Sequence, residues 1–166
     1  IPTWDIHSQN NALGSGVHAS VYESLVYYNS KTFKPEPVLA TGWKQLTPTQ
    51  LRLTLRAGVK FHDGSTFSAD DAVFSLERAM SKTSNFHVFT NGIDKVVKVD
   101  ANTIDIFTTD PNPVMLNQLT ELRMMSKAWA EKNNSVAPKD IKTKDENFAH
   151  RNANGTGPYI LESWQP

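Results

Sequence analysis

The chain has 166 residues, and its 17 Lys plus Arg balance 17 Asp plus Glu, so it carries no formal net charge. That length suits one domain with a real core, and 39% hydrophobic with 20% charged residues is the balance of an ordinary soluble globular protein. No basic excess is present to neutralise phosphates, which argues against nucleic acid as a partner, and the lack of cysteine removes disulfide scaffolds, zinc–thiolate sites and cysteine nucleophiles.

In chain order, Asn10 to Gly16 is polar and glycine-bearing and reads as a loop. Val17, Val21, Tyr22, Leu25 and Val26 keep a short helical spacing. Asn29-Ser30-Lys31 is a turn, and Pro35 and Pro37 hold their neighbours extended. Trp43 is expected in the core. Leu51, Leu53 and Leu55 alternate with Arg52, Thr54 and Arg56, the period of a half-buried strand. Val59 to His62 is a second short extended piece, closed by an Asp63-Gly64 turn. Ala69, Ala72, Val73, Leu76, Ala79 and Met80 then form the stripe of an amphipathic helix. Ser68 is its N-cap, with Asp71 in a variant of the capping box, and Asp70 and Asp71 suit the helix dipole. Phe74 lies off that stripe and is expected to pack on a second surface.

Phe86 and Phe89 fall in a polar, irregular stretch, lining a pocket or plugging the loop to the core. Lys95–Val99 and Thr103–Phe107 are β-branched runs joined by Asp100-Ala101-Asn102, a hairpin with Val97 and Val99 on one face and Ile104 and Ile106 in a second alternating set. Pro111 ends the strand and Pro113 opens a helix whose apolar face is Val114, Leu116, Leu119 and Leu122. Ser126 caps a further helix over 127–132. Residues 133–154 are a polar surface excursion, with a short helix expected over 144–149. Gly155-Thr156-Gly157-Pro158 is a tight bend that needs its glycines, and 159–164 leaves it as a strand.

Motifs that carry chemistry are sparse. His7, His18, His62, His87 and His150 show no i, i+4 pairing and no carboxylate at ligand spacing, so neither a metal nor a cofactor is expected. Adjacent Asp70 and Asp71 diverge by about 100° on a helix and do not form an acid pair. The Gly155–Pro158 bend lacks the Lys-Ser/Thr and following helix of a phosphate loop, and no Gly-x-Ser-x-Gly elbow occurs. The chain is not expected to be an enzyme. No stretch approaches the roughly 18 apolar residues of a membrane span, and no signal peptide opens the chain, which begins as if cut from something longer.

Five blocks in order carry a resemblance. They are Val21-Tyr22-Glu23-Ser24-Leu25-Val26, then Leu39-Ala40 with Trp43, then Leu55-Arg56-Ala57-Gly58-Val59-Lys60-Phe61-His62-Asp63-Gly64, then Ala69 to Arg78, then Gly155 to Tyr159. The chain resembles the N-terminal part of the family 5 extracytoplasmic solute-binding proteins, the peptide, dipeptide and nickel receptors of ABC importers. This implies a mixed α/β fragment of a two-lobed periplasmic-binding-protein fold, with the second lobe absent. Residues 1–43 are then the first part of lobe I, 44–150 a small inserted α+β domain, and 151–166 a return strand into lobe I. The implied function is capture of a peptide or similar small solute, in the periplasm or outside the cell, for delivery to an ABC permease. A nickel- or haem-type receptor, or the sensing domain of a transcriptional regulator, stays open as an alternative. The resemblance implies that Ser15, Gly16, Val17, His18 and Tyr22 face the ligand cleft, and that Arg123 and Met124 lie beside it, with Arg123 a candidate to meet a ligand carboxylate or an acidic group of the missing lobe. Against this, Ser15 to His18 reads equally as a surface connection, and Arg123 as a solvated or salt-bridged arginine.

Overall fold

In a computed structural model, residues 2–143 and 145–165 are described. The first helix, α1 (Ala12–Val21), occupies the stretch expected to begin as a loop. Asn11 starts it by accepting a hydrogen bond from the Gly14 amide at 2.7 Å, which offsets the low helix propensity of two glycines. The other cause is distant in sequence. A Cβ on Gly155 would lie 2.0 Å from the Val21 carbonyl oxygen, and one on Gly157 2.7 Å from the Val21 carbonyl carbon. The bend over 155–158 therefore uses its glycines for close approach to the end of α1, where the Gly157 amide donates to Val21 at 2.9 Å.

A short hairpin follows, β1 (Val26–Asn29) and β2 (Lys34–Pro37). Then come β3 (Ala40–Thr47) and β4 (Gln50–Leu55), paired antiparallel. Leu51, Leu53 and Leu55 point inward, while Arg52 and Thr54 face out. Trp43 is half-buried at the margin of the core. After the Gly64 turn, helix α2 (Ala69–Met80) begins with the expected capping box of Ser68 and Asp71. A single turn, α3 (His87–Thr90), precedes the hairpin of β5 (Ile93–Asp100) and β6 (Thr103–Thr108), and the sheet order is β3-β4-β6-β5. Val96 and Ile93 face the core beside Ile104 and Ile106, whereas Val97 and Val99 face solvent. Val97 and Val99 thus share one face, as their spacing predicts, and it is the solvent face, because Val96 pairs with Ile106 on the covered one.

Helix α4 (Met115–Leu119) buries Met115 and Leu119, and leaves Val114 exposed before its first turn. Helix α5 (Lys127–Lys132) is capped as expected, the Ser126 hydroxyl accepting from the Trp129 amide at 3.2 Å. In the excursion only short 3-10 turns form, at Ile141–Thr143 and Phe148–His150; the expected helix over 144–149 includes Lys144, which lies outside the described residues. Residues 159–164 form no strand: Tyr159 donates its amide to Ser20, but no β-ladder follows.

Two cores result, and α2 separates them. The first is apolar, running from Leu25 to Met124 and packing Ala69, Ala72, Leu76 and Ala79 of α2 on the sheet. The second gathers Trp4, Ile6, Val21, Tyr22, Phe74, Met125, Ala130 and Ala149 on the other side of α2. Phe74 accordingly packs on a second surface. Phe86 joins the first core, whereas Phe89 is half-buried at its edge.

Candidate functional site

Between the end of α1, β1 and the segment leaving α4 lies a groove of about 490 Å³. Tyr27 and Tyr28 form one wall, Thr120, Glu121 and Arg123 another, and Tyr22, Glu23 and Ser24 line it between them. A neighbouring hollow of about 340 Å³ shares Tyr28, Thr120 and Glu121 with it and adds Phe89. Tyr27 is 55% exposed and offers the groove an aromatic face with a polar tip.

Local hydrogen bonding explains the groove's shape. Residues Arg123 to Met125 run as a single extended piece. On one side Arg123 bridges antiparallel to Ser24, and the Met124 amide donates to the Glu23 carbonyl at 2.8 Å. On the other side the neighbour is a side chain. The Ser75 hydroxyl accepts from the Met125 amide at 2.8 Å and donates to the Met125 carbonyl at 3.1 Å. Beyond it, the Lys127 amide donates to Asp71 at 2.9 Å, while the other oxygen of that carboxylate accepts from the Ser68 amide.

Arg123 is the groove's cation. Its Nη1 donates to the Thr120 carbonyl at 2.9 Å, and its buried Nε–H has no partner among the described residues. Burial disfavours its charge, and Glu121 offsets part of that penalty. A guanidinium with an uncommitted edge is suited to a carboxylate or another planar anion. Tyr22 lies beneath, fully buried, with its hydroxyl taking the Asn154 amide at 3.4 Å. Burial pushes its phenol well above the usual range, so it stays neutral.

The other expected site residues fall elsewhere. Ser15, Gly16 and Val17 lie on α1, not on a loop, with Gly16 exposed and the other two half-buried. His18 is turned inward at 2% exposure, with Nε2 3.0 Å from the Thr3 carbonyl, and burial lowers its pKa. Met124 is fully buried in the first core. Tyr22 and Arg123 are the two expected residues that line the groove. Tyr27, Tyr28, Glu23 and Glu121 also line it and are not among the residues expected from the sequence. The Tyr27-Tyr28 pair, following the apolar Leu25-Val26 and preceding a polar turn, was the available signal for an exposed aromatic wall.

Behind the groove sits a buried ionic cluster. Arg78 forms a bidentate pair with Asp5, both bonds 2.7 Å and both side chains at 0% exposure, and its Nη1 lies 3.2 Å from His7 Nδ1. Its Nε donates to the carbonyls of Ser135 and Val136, each at 3.1 Å. Burial alone would raise Asp5, but the Arg78 charge and hydrogen bonds hold it at about 2. Burial and then Arg78 push His7 down to about 3. Among the described residues, no group of three or more His, Cys, Asp or Glu is placed to hold a metal. Nor is any helix among them long and apolar enough to cross a membrane.

Comparison with known proteins adds the family. Residues 34–166 match the family model described as bacterial extracellular solute-binding proteins, family 5 Middle. The structure is similar to that of NikZ from Campylobacter jejuni in complex with Ni(L-His), with a TM-score of 0.82 and 25% identity, covering 99% of this chain and 31% of that one. It is also similar to the periplasmic binding protein DppA from Helicobacter pylori in complex with the peptide STSA, with a TM-score of 0.77 and 26% identity over 98% of this chain and 35% of that one. Among curated proteins, the HTH-type transcriptional regulator SgrR of Escherichia coli K12 is 30% identical over 144 residues, 85% of this chain and 22% of the regulator. The chain thus spans about a third of these solved structures and about a fifth of the regulator.

Proposed function

Because this chain belongs to the bacterial extracellular solute-binding proteins, family 5, we propose that it forms one wall of a solute cleft in a receptor that passes peptides or similar small solutes to an ABC permease. The observation that carries this reading is Arg123. It lines a groove walled by Tyr27 and Tyr28, and among the described residues its guanidinium donates only to the Thr120 carbonyl. In this reading Arg123 takes a ligand carboxylate, and the tyrosines cover the ligand's apolar surface. Capture is a population shift: the ligand touches both walls only in the closed state, and that difference in affinity drives closure. The receptor works outside the cytoplasm, beside the permease, and no bond is made or broken in the ligand.

The lobe assignment belongs to the same proposal. A first portion, a small inserted domain and a return segment are retained. The two cores support limits near residues 24–25 and 124–125, however, because β3 runs unbroken through 43–44. Ser15, Gly16, Val17, His18 and Met124, expected at the ligand, are instead proposed to support the groove, the first three from the surface of α1 and the last two from within.

A second reading is favoured by one observation each. Likeness to SgrR supports a sensing domain behind a DNA-binding module, and likeness to NikZ supports a nickel-complex receptor. Native mass spectrometry of the full-length parent, purified without denaturation and followed by release of its cargo, separates them. A ladder of short peptides is the expected result. A single small-molecule or metal-complex mass would replace the peptide reading, and a helix-turn-helix at the parent's N-terminus would replace the transport reading.

A further inference from the structure

Helix α2 carries a buried polar line on the side away from the sheet. Asp71, Ser75 and Arg78 stand at i, i+4 and i+7, with exposures of 7%, 0% and 3%. Such residues are rarely buried without partners, and here each is committed. Arg78 is bound up with Asp5 and with the carbonyls of Ser135 and Val136. Asp71 joins the first turns of α2 and α5, accepting from both the Ser68 and Lys127 amides. Ser75 takes both the amide and the carbonyl of Met125, an arrangement in which a side-chain hydroxyl stands where a neighbouring strand would be.

Two residues before Met125 is Arg123. The extended piece that carries it has backbone partners from Glu23 and Ser24 on one edge only. Among the described residues its other edge meets the His7 ring at the Arg123 backbone and the Ser75 hydroxyl at Met125, before Asp71 takes the Lys127 amide. We infer that Ser75 is a positioning residue for Arg123, fixing the depth and rotation at which the guanidinium enters the groove, although Ser75 itself does not line it. The inference rests on the proposal that Arg123 meets a ligand anion. The physical reason is pre-organisation: a short extended segment bonded on one edge can roll about that edge, and a second row of bonds removes the roll. Loss of the hydroxyl also strands a buried amide and a buried carbonyl of Met125, whose side chain is fully enclosed.

The test uses the full chain, with trialanine and its C-terminal amide as probes in calorimetric titrations. The ratio of the two affinities reads the carboxylate contact without depending on overall stability. In the unaltered protein the acid is expected to bind about tenfold more tightly than the amide. Arg123→Ala is expected to abolish the preference. Ser75→Ala is expected to reduce it to roughly two- to threefold, and Ser75→Thr, which retains the hydroxyl, to restore it. No preference in the unaltered protein would overturn the Arg123 reading and the inference with it. A preference lost in Arg123→Ala but intact in Ser75→Ala would overturn the inference alone. If neither probe binds, hydrogen exchange at the Arg123 Nε–H decides. Faster exchange in Ser75→Ala than in Ser75→Thr supports positioning. Faster exchange confined to the Met125 amide overturns it, because the bond to Met125 would then be structural only.

Discussion

The two cores flanking α2 are built on different principles. On the sheet side, Leu51, Leu53, Leu55, Ile104, Ile106 and Leu76 meet without a charged group among them. On the other side, Trp4, Ile6 and Phe74 enclose a region that also holds Asp5, His7 and Arg78, each buried and bonded. The first core is held by area removed from water, to which many residues contribute and no single contact is decisive. The second depends on pairing, because a buried charge without its partner costs far more than the pair contributes. Removal of one group therefore acts differently on the two sides of one helix.

The sharpest break in that comparison is Arg78→Ala. It leaves the Asp5 carboxylate at 0% exposure with its bidentate partner gone, and strips the Ser135 and Val136 carbonyls of a donor. A loss of about 3–5 kcal/mol is expected, measured by urea unfolding. Replacing both members, Asp5→Leu with Arg78→Met, is expected to recover most of that loss, since an apolar pair of similar volume avoids the desolvation penalty. A double variant no better than the single one would show that the carbonyl contacts of Arg78, not the ion pair, hold the second core. On the sheet side, Leu53→Ala removes a fully buried side chain and is expected to cost about 3 kcal/mol, with no partner change able to rescue it.

Acid distinguishes the two cores without mutation. His7 is held at about 3 in the folded chain against an ordinary 6.5, so between those values the unfolded chain binds the proton and the folded chain does not. Its contribution is present above 6.5 and is lost as pH falls toward 3. Asp5, held at about 2 against 3.8, contributes above 3.8 and loses that contribution as pH falls toward 2. Both have the same sign, and lowered values at His18 and His150 add to it. The urea midpoint is therefore expected to fall steadily from pH 7 to 3. In His7→Gln the slope above pH 4 is expected to become shallower, with His18 and His150 supplying what is left, while the Asp5 portion survives. A midpoint level across that range would mean that the second core does not govern acid stability.

The same contrast decided what could be read from residue order. Leu51, Leu53 and Leu55, and the stripe from Ala69 to Met80, carry their periods in the sequence, so β4, α2 and the outlying Phe74 were all legible. Asp5 and Arg78 are 73 positions apart, and no period links an ion pair of that separation. Helix α1 was misread at its start because Gly14 and Gly16 speak locally for a loop, while the glycines that seat its far end are Gly155 and Gly157. In the groove, Tyr22 and Arg123 came from resemblance to a family, not from spacing. Tyr27, Tyr28, Glu23 and Glu121 join them only because the Ser24–Arg123 bridge folds two distant segments together.

The smallest expected effect concerns the register of β5. Val96 and Val97 are chemically identical neighbours on β5, one 6% and the other 39% exposed. Val97→Thr is expected to change stability by less than about 0.5 kcal/mol, because its side chain faces solvent opposite Asp105. Val96→Thr places a hydroxyl among Ile106 and its neighbours, where it loses water, and is expected to cost about 1–3 kcal/mol. Equal urea midpoints for the two variants would contradict the observed register, since a slip of one residue exchanges the faces. The strand tolerates its outer valines because it lies at the sheet edge, where Lys95 and Lys98 discourage pairing with another chain. Lys98 is further tied to Asp70 at 2.7 Å, in a half-exposed pair worth little by itself. What sets the phase of β5 is thus the ladder to β6 and the apolar face of α2 above it, and a polar substitution registers only on the side that those two elements cover.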